Sequence, residues 1–231
     1  MKNKIYKLLI FVFYSLSLFI LLFCLKVRIT SGMFLYTKVR LLLLFIVCLL
    51  IYISGYILVK KLNYTKKILK VNLIIYFVIY TVTIITLTLY DEIFGRNGLV
   101  IADWNRNLLN RYINTSFNII PFKTINLFIK GYMNGLVTFR DFSINIFGNI
   151  CVLMPYGILI PLIFKRVDKY YEFLVLMVFF VILIEVFQFI TLSGSFDIDD
   201  LILNVLGASI IYFVYKIKFI KKIINKVFLF G

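Results

Sequence analysis

Six long apolar runs, separated by short lysine-rich or polar connections, set the pattern of this chain. They fall at about residues 5–25, 41–59, 71–90, 143–164, 170–192 and 199–215. Each is close to the roughly 20 residues an α-helix needs to cross a bilayer core. None alternates apolar and polar residues with period two, so a transmembrane β-barrel is excluded. The pattern predicts an all-α, multi-span helical membrane protein with about six transmembrane helices. Pro155 is expected to break the fourth span and Pro161 to lie near its end. Residues 91–142 form the one long polar segment, and within it 127–137 is weakly apolar and too short to cross. That piece is read as interfacial or re-entrant, with Gly131 and Gly135 weakening it as a free helix. The expected organisation is three N-terminal spans in 1–90, a long extracytoplasmic loop in 91–142, a three-span core in 143–217 and a basic cytoplasmic tail in 218–231.

Composition agrees: 63% of the 231 residues are hydrophobic. The net charge of +16 does not point to nucleic acid, because the lysines stand at the ends of apolar runs, where the positive-inside rule and anionic headgroups favour them. Orientation follows from the same charges. The turn 193–198 carries no Lys or Arg and leads into acids, whereas 165–169 is basic. Both termini are therefore expected on the cytoplasmic side, with the 193–198 turn and the long loop outside. No small-residue cleavage site follows the first run, which is read as a retained span. Cys24, Cys48 and Cys151 lie in apolar runs without CxxC spacing, and the chain has no His. A zinc site or disulfide framework is not expected, and no metal or cofactor is assigned.

Polar residues inside the last three runs carry the functional signal. Asn145 and Asn149 are four apart, Glu185 and Gln188 three apart, and Asp200 and Asn204 four apart, each pair on one helical face. At about 1.5 Å per residue, Asn149, Glu185 and Asn204 lie roughly 9–12 Å below the outer boundary. Three helices thus offer polar faces at one depth. Helix-to-helix hydrogen bonding explains single Asn or Gln residues, with Gly148, Gly157 and Gly207 allowing close approach. A carboxylate within a span is costly and marks function by default. Glu185 needs a cation, a proton or an Arg, and Arg111 and Arg140 of the long loop are the candidates. Asp197 and Asp199 also read as caps for the sixth helix. A hard cation held by Asp197, Asp199, Asp200 and Glu185 is an allowed composition without a complete motif. No catalytic template is present. Glu185, Asp199 and Asp200 are the candidates for acid/base work.

The series NIIPF, NIFGNICVLMPYGILIP, IEVFQ and FDIDDLILNVLGA, in this order and spacing over about 111–215, resembles the VanZ-like family of bacterial membrane proteins. The family's recurrent positions would be Asn118, Pro121 and Phe122; Asn145, Gly148, Asn149, Pro155, Gly157 and Pro161; Glu185 and Gln188; and Asp197, Asp199, Asp200, Asn204 and Gly207. Many members carry an Arg just before the FDIDD-like motif. Gly194 and Ser195 stand there in this chain, so a local Arg–carboxylate pair is not implied. The resemblance implies a multi-pass protein of the bacterial cytoplasmic membrane, associated with low-level resistance to teicoplanin-type glycopeptides. Its partners would be membrane lipids and a lipid-linked envelope precursor or glycopeptide, not nucleic acid. Three readings stay open. One is a non-enzymatic envelope protein with an outward polar pocket of Asn118, Asn145, Asn149, Glu185, Gln188, Asp197, Asp200 and Asn204. The others are an intramembrane enzyme acting on a lipid-linked precursor, and a small transporter.

Overall fold

In a computed structural model, residues 2–31, 36–90, 106–164, 166–167, 169–191 and 194–228 are described. The first three apolar runs form α1 (Lys2–Ser31), α2 (Thr37–Lys61) and α3 (Lys67–Tyr90). The long polar segment yields α4 (Arg106–Ser116), a two-residue strand β1 (Phe117–Asn118) and α5 (Lys123–Met133). Its first part, 91–105 with Trp104, lies outside the described residues. The weakly apolar piece thus falls largely within α5, whose end is set by Gly135 at φ 72°, a left-handed position that suits glycine.

The fourth span is segmented. It comprises α6 (Phe139–Ser143), a π-helical turn (Ile144–Gly148), α7 (Asn149–Val152) and α8 (Tyr156–Ile163). Pro155 breaks it between α7 and α8, since proline has no N–H to continue the ladder. Pro161 lies in the last turn of α8, which ends two residues on at Ile163, near the proline as expected. Then follow α9 (Tyr170–Thr191), β2 (Phe196–Asp197), α10 (Ile198–Lys216) and α11 (Lys218–Val227). Among the described residues six segments are long and apolar enough to cross a membrane: Lys2–Val27, Thr37–Lys61, Lys67–Leu89, Phe139–Ile163, Tyr170–Thr191 and Ile198–Lys216. The fold is an all-α multi-span membrane fold.

Two compact units divide the chain, Met1–Val82 with Lys222–Gly231 and Thr83–Lys221. In the first, α1 packs along α2. Asn72 of α3 donates to the Ile51 carbonyl at 3.2 Å. In the second, α10 is the central helix, packed on α7, α8 and α9. Two glycines make this possible. A Cβ on Gly207 would collide with the Ile150 carbonyl oxygen, and one on Gly157 would lie 2.6 Å from the Ala208 oxygen and the Tyr212 nitrogen. Gly148 has no such neighbour, its nearest being the Ser143 oxygen at 4.0 Å. The expected close approach therefore holds at Gly157 and Gly207 and not at Gly148, which lies in the π turn. Aromatic pairs fill the remaining space, with Phe173 stacked on Tyr212 at 4.6 Å.

Candidate functional site

Strands β1 and β2 pair in parallel, with Phe117 opposite Phe196 and Asn118 opposite Asp197. The phenylalanines stack at 5.0 Å. This small bridge brings NIIPF against FDIDD, 79 residues away in sequence at the Asn118–Asp197 contact. A hydrogen-bond hub grows from it. Asn118 Nδ2 donates to Asp197 Oδ1 at 2.8 Å and to Thr124 Oγ1 at 3.1 Å. Asp197 caps α10 by accepting the Asp199 N–H at 2.9 Å, as its position before the helix predicts.

Asp199 does something else. Its side chain leaves α10 and caps α5: Oδ1 accepts the Phe122 N–H at 2.5 Å, and Oδ2 accepts those of Thr124 at 2.7 Å and Ile125 at 3.0 Å. A fully buried carboxylate is stable there because three helix-start N–H groups, otherwise unpaired, converge on it. Phe122, at the N-cap of α5, adopts a left-handed φ of 65°. Of the two aspartates expected as alternative caps of this helix, Asp197 thus fills the role and Asp199 caps a distant helix. Its candidacy for acid/base work loses its basis, because both oxygens are held by backbone donors.

Glu185 completes the hub from α9. Its Oε2 accepts the Asp197 N–H at 3.0 Å, and its side chain is 5% exposed. The same residue also lines a cavity of about 40 Å³. The polar wall of this cavity is Glu185, Gln188, Asn149, Asp200, Asn204 and Thr88, and the apolar wall is Ile84, Val152, Leu153, Val181 and Ile184. Asn149 Nδ2 donates to Asp200 Oδ1 at 2.5 Å and to the Asn145 carbonyl at 3.0 Å. Asn204 Nδ2 donates to the Asp200 carbonyl at 2.7 Å, and Gln188 Nε2 to the Thr88 carbonyl at 3.2 Å.

The residues expected to form one pocket therefore separate into two neighbouring groups. Asn149, Glu185, Gln188, Asp200 and Asn204 share the cavity. Asn118, Asp197 and Asp199 form the hub beside it, and Glu185 belongs to both. Asn145 joins neither. The π turn between Asn145 and Asn149 widens the helix locally, so residues four apart no longer keep one face. Asn145 Nδ2 instead donates to the Asp141 carbonyl at 2.8 Å, supplying a donor where the backbone ladder is disturbed. Arg111 and Arg140 are exposed, and neither lines the cavity. Asp197, Asp199, Asp200 and Glu185 do not gather as a metal site; among the described residues no three His, Cys, Asp or Glu side chains do.

Thr88 was not foreseen from the sequence as part of this wall. Its Oγ1 donates to the Ile84 carbonyl at 2.9 Å, the back-bonding its type predicts. Only its depth, matched to Gln188 across α3 and α9, signals the cavity, and a sequence does not state which helices are neighbours.

A multi-span helical protein with a buried carboxylate, a helix start capped from a distant aspartate beside a two-strand bridge, and an amide-rich cavity is the class these observations define. The family model VanZ/LLP1 matches residues 77–220. The chain belongs to the VanZ/LLP1 family, and the match covers every residue of the hub and the cavity. No curated protein and no solved structure matches the chain.

Proposed function

We propose that this protein contributes to glycopeptide resistance of the teicoplanin type, or to resistance to envelope stress, from the bacterial cytoplasmic membrane. Both termini face the cytoplasm and the cavity faces the extracytoplasmic half. There the polar wall engages a headgroup of a membrane lipid, a lipid-linked envelope precursor or the drug itself. The observation that carries this reading is Glu185, a buried carboxylate shared between the hub and the cavity. A buried carboxylate within an apolar span is expensive unless it has work to do, and this one lines the cavity while it accepts the Asp197 N–H.

The test is teicoplanin susceptibility of a strain carrying Glu185→Gln or Asp200→Asn, with membrane abundance measured alongside. Normal abundance with susceptibility equal to that of the deletion strain is the expected result. Unchanged resistance at normal abundance would reduce the polar wall to helix packing. A second reading, an intramembrane enzyme acting on a lipid-linked precursor, is favoured by one feature: two carboxylates, Glu185 and Asp200, line the same cavity and suit acid/base work. A changed lipid-linked product in the Asp200→Asn strain would select it.

A further inference from the structure

Helix α5 is tied down at both ends. At its start the Asp199 carboxylate, in the first turn of α10, holds the N–H groups of Phe122, Thr124 and Ile125. At its end Tyr132 stacks on Phe142 at 5.0 Å and meets Phe139 at 5.9 Å, both in α6. Between them Gly135 reverses the chain, and the Gly131 carbonyl accepts the N–H groups of Leu136 at 2.8 Å and Val137 at 3.1 Å. Both anchors stand where spans begin: the fourth apolar segment starts at Phe139 and the sixth at Ile198. A single crossing, Tyr170–Thr191, lies between those segments. The two beginnings are therefore at the same membrane face, whichever way the protein is inserted. A helix of 11 residues is about 16 Å long. With each end held at that face, α5 runs along the face and does not descend into the hydrocarbon.

We infer that α5 is an interfacial helix whose exposed surface docks on the phospholipid leaflet at that face, at the boundary between headgroups and acyl chains. Its two ends supply the apolar part. Ile119, Ile120 and Phe122 lead into the helix, Met133 closes it, and Leu136 and Phe139 follow; all six are exposed, Met133 at 78% and Leu136 at 82%. Large apolar side chains exposed together mark a contact with a protein or a membrane. Lipid is the occupant here, because the patch leads through Leu136 into Phe139, where the fourth membrane-crossing segment begins. Charge agrees with that choice. Lys123, Asn126 and Lys130 are exposed and stand three and four residues apart on one side of α5, and the helix carries no acid. Two amines on that side suit lipid phosphates, whereas a re-entrant course would take both into hydrocarbon at high cost. The inference goes beyond the proposed function and stands without it. Asp199 joins the lipid surface to the hub, because Asp197 accepts its N–H while its carboxylate holds α5.

Depth-dependent fluorescence quenching of the full-length protein tests this. A protein lacking Cys24, Cys48 and Cys151 receives one new cysteine by Ile120→Cys, Leu136→Cys or Asn126→Cys, each at an exposed position. It is labelled with an environment-sensitive dye and placed in nanodiscs of phosphatidylethanolamine and phosphatidylglycerol. The lipids carry a nitroxide either near the headgroup end of the acyl chain or at its methyl end, and iodide is the aqueous quencher. The expected result at 120 and 136 is loss of emission to the shallow nitroxide, a smaller loss to the deep one and little to iodide, as for a helix seated at the boundary. At 126 iodide should quench most. Met133→Cys is the alternative site, should Leu136→Cys fail to fold. Stronger quenching of 136 by the deep nitroxide would make the segment re-entrant and overturn the inference. Equal iodide quenching at all three positions overturns it in favour of a surface in water. Protection of 120 and 136 from iodide and from both nitroxides overturns it in favour of a protein partner.

Discussion

Asp199 and Asp200 are adjacent and chemically identical, yet the fold gives them opposite work. Successive residues on a helix point about 100° apart. Asp199 therefore turns to the backbone of 122–125 while Asp200 turns to Asn149. The difference predicts different variants. Asp199→Asn replaces one accepting oxygen with a donor that faces backbone N–H groups. It should destabilise the protein by about 2–4 kcal/mol, given that hydrogen bonds to charged groups contribute about 1.5–3 each. The measurements are a lowered unfolding midpoint in detergent and reduced membrane abundance. Asp200→Asn keeps an oxygen for Asn149 and should show abundance near wild type. Equal loss of abundance in the two variants would contradict the division into hub and cavity. Asn118→Ala, which removes the donor to Asp197, should resemble Asp199→Asn in direction with a smaller loss, about 1–2 kcal/mol, because the acceptor left behind remains capped by the Asp199 N–H.

At the scale of elements, α10 organises the second unit because its glycine face admits backbone from the broken fourth span. Gly207→Ala would drive a methyl into the Ile150 carbonyl, where no flexible side chain can give way. Overpacking of this kind costs about 1–3 kcal/mol or more. A lowered midpoint or loss of the folded protein from the membrane is expected. Gly148→Ala places its methyl no nearer than 4.0 Å to any other group and should leave abundance unchanged. The π turn that contains Gly148 has a positional effect: it sends Asn149 to the cavity and Asn145 to the Asp141 carbonyl. Shortening that turn by deleting one residue should restore a common face and move Asn149 away from Asp200, with a lowered unfolding midpoint as its sign.

For the whole molecule, charge is the guide. The chain carries 26 Lys and Arg against 10 Asp and Glu, and the basic residues cluster in the connections assigned to the cytoplasm. The tail is itself helical: α11 carries Lys218, Lys221, Lys222 and Lys226 among Phe219, Ile220, Ile223, Ile224 and Val227. Such a pattern suits an inner surface rich in anionic headgroups. The proposed orientation predicts that Ser195→Cys, in a protein lacking Cys24, Cys48 and Cys151, reacts with an impermeant thiol reagent applied to intact cells. Reaction only after lysis would invert the protein and place the cavity in the inner half.

The sequence alone determined the number of spans and their approximate lengths, because bilayer thickness acts on any chain locally. It also placed Asn149, Glu185 and Asn204 at one depth, since rise per residue is constant along a helix. Tertiary structure alone decided how those residues are shared out. Asp199 was legible as a cap and not as a cap for α5, because its partners are more than seventy residues away. The exclusion of Asn145 followed from one π turn, which no spacing of residue types announces. Thr88 entered the wall beside Gln188, which donates to its carbonyl from 100 residues away in the chain. Periodicity fixes what each helix offers; which helix receives it depends on contacts between residues far apart in the chain.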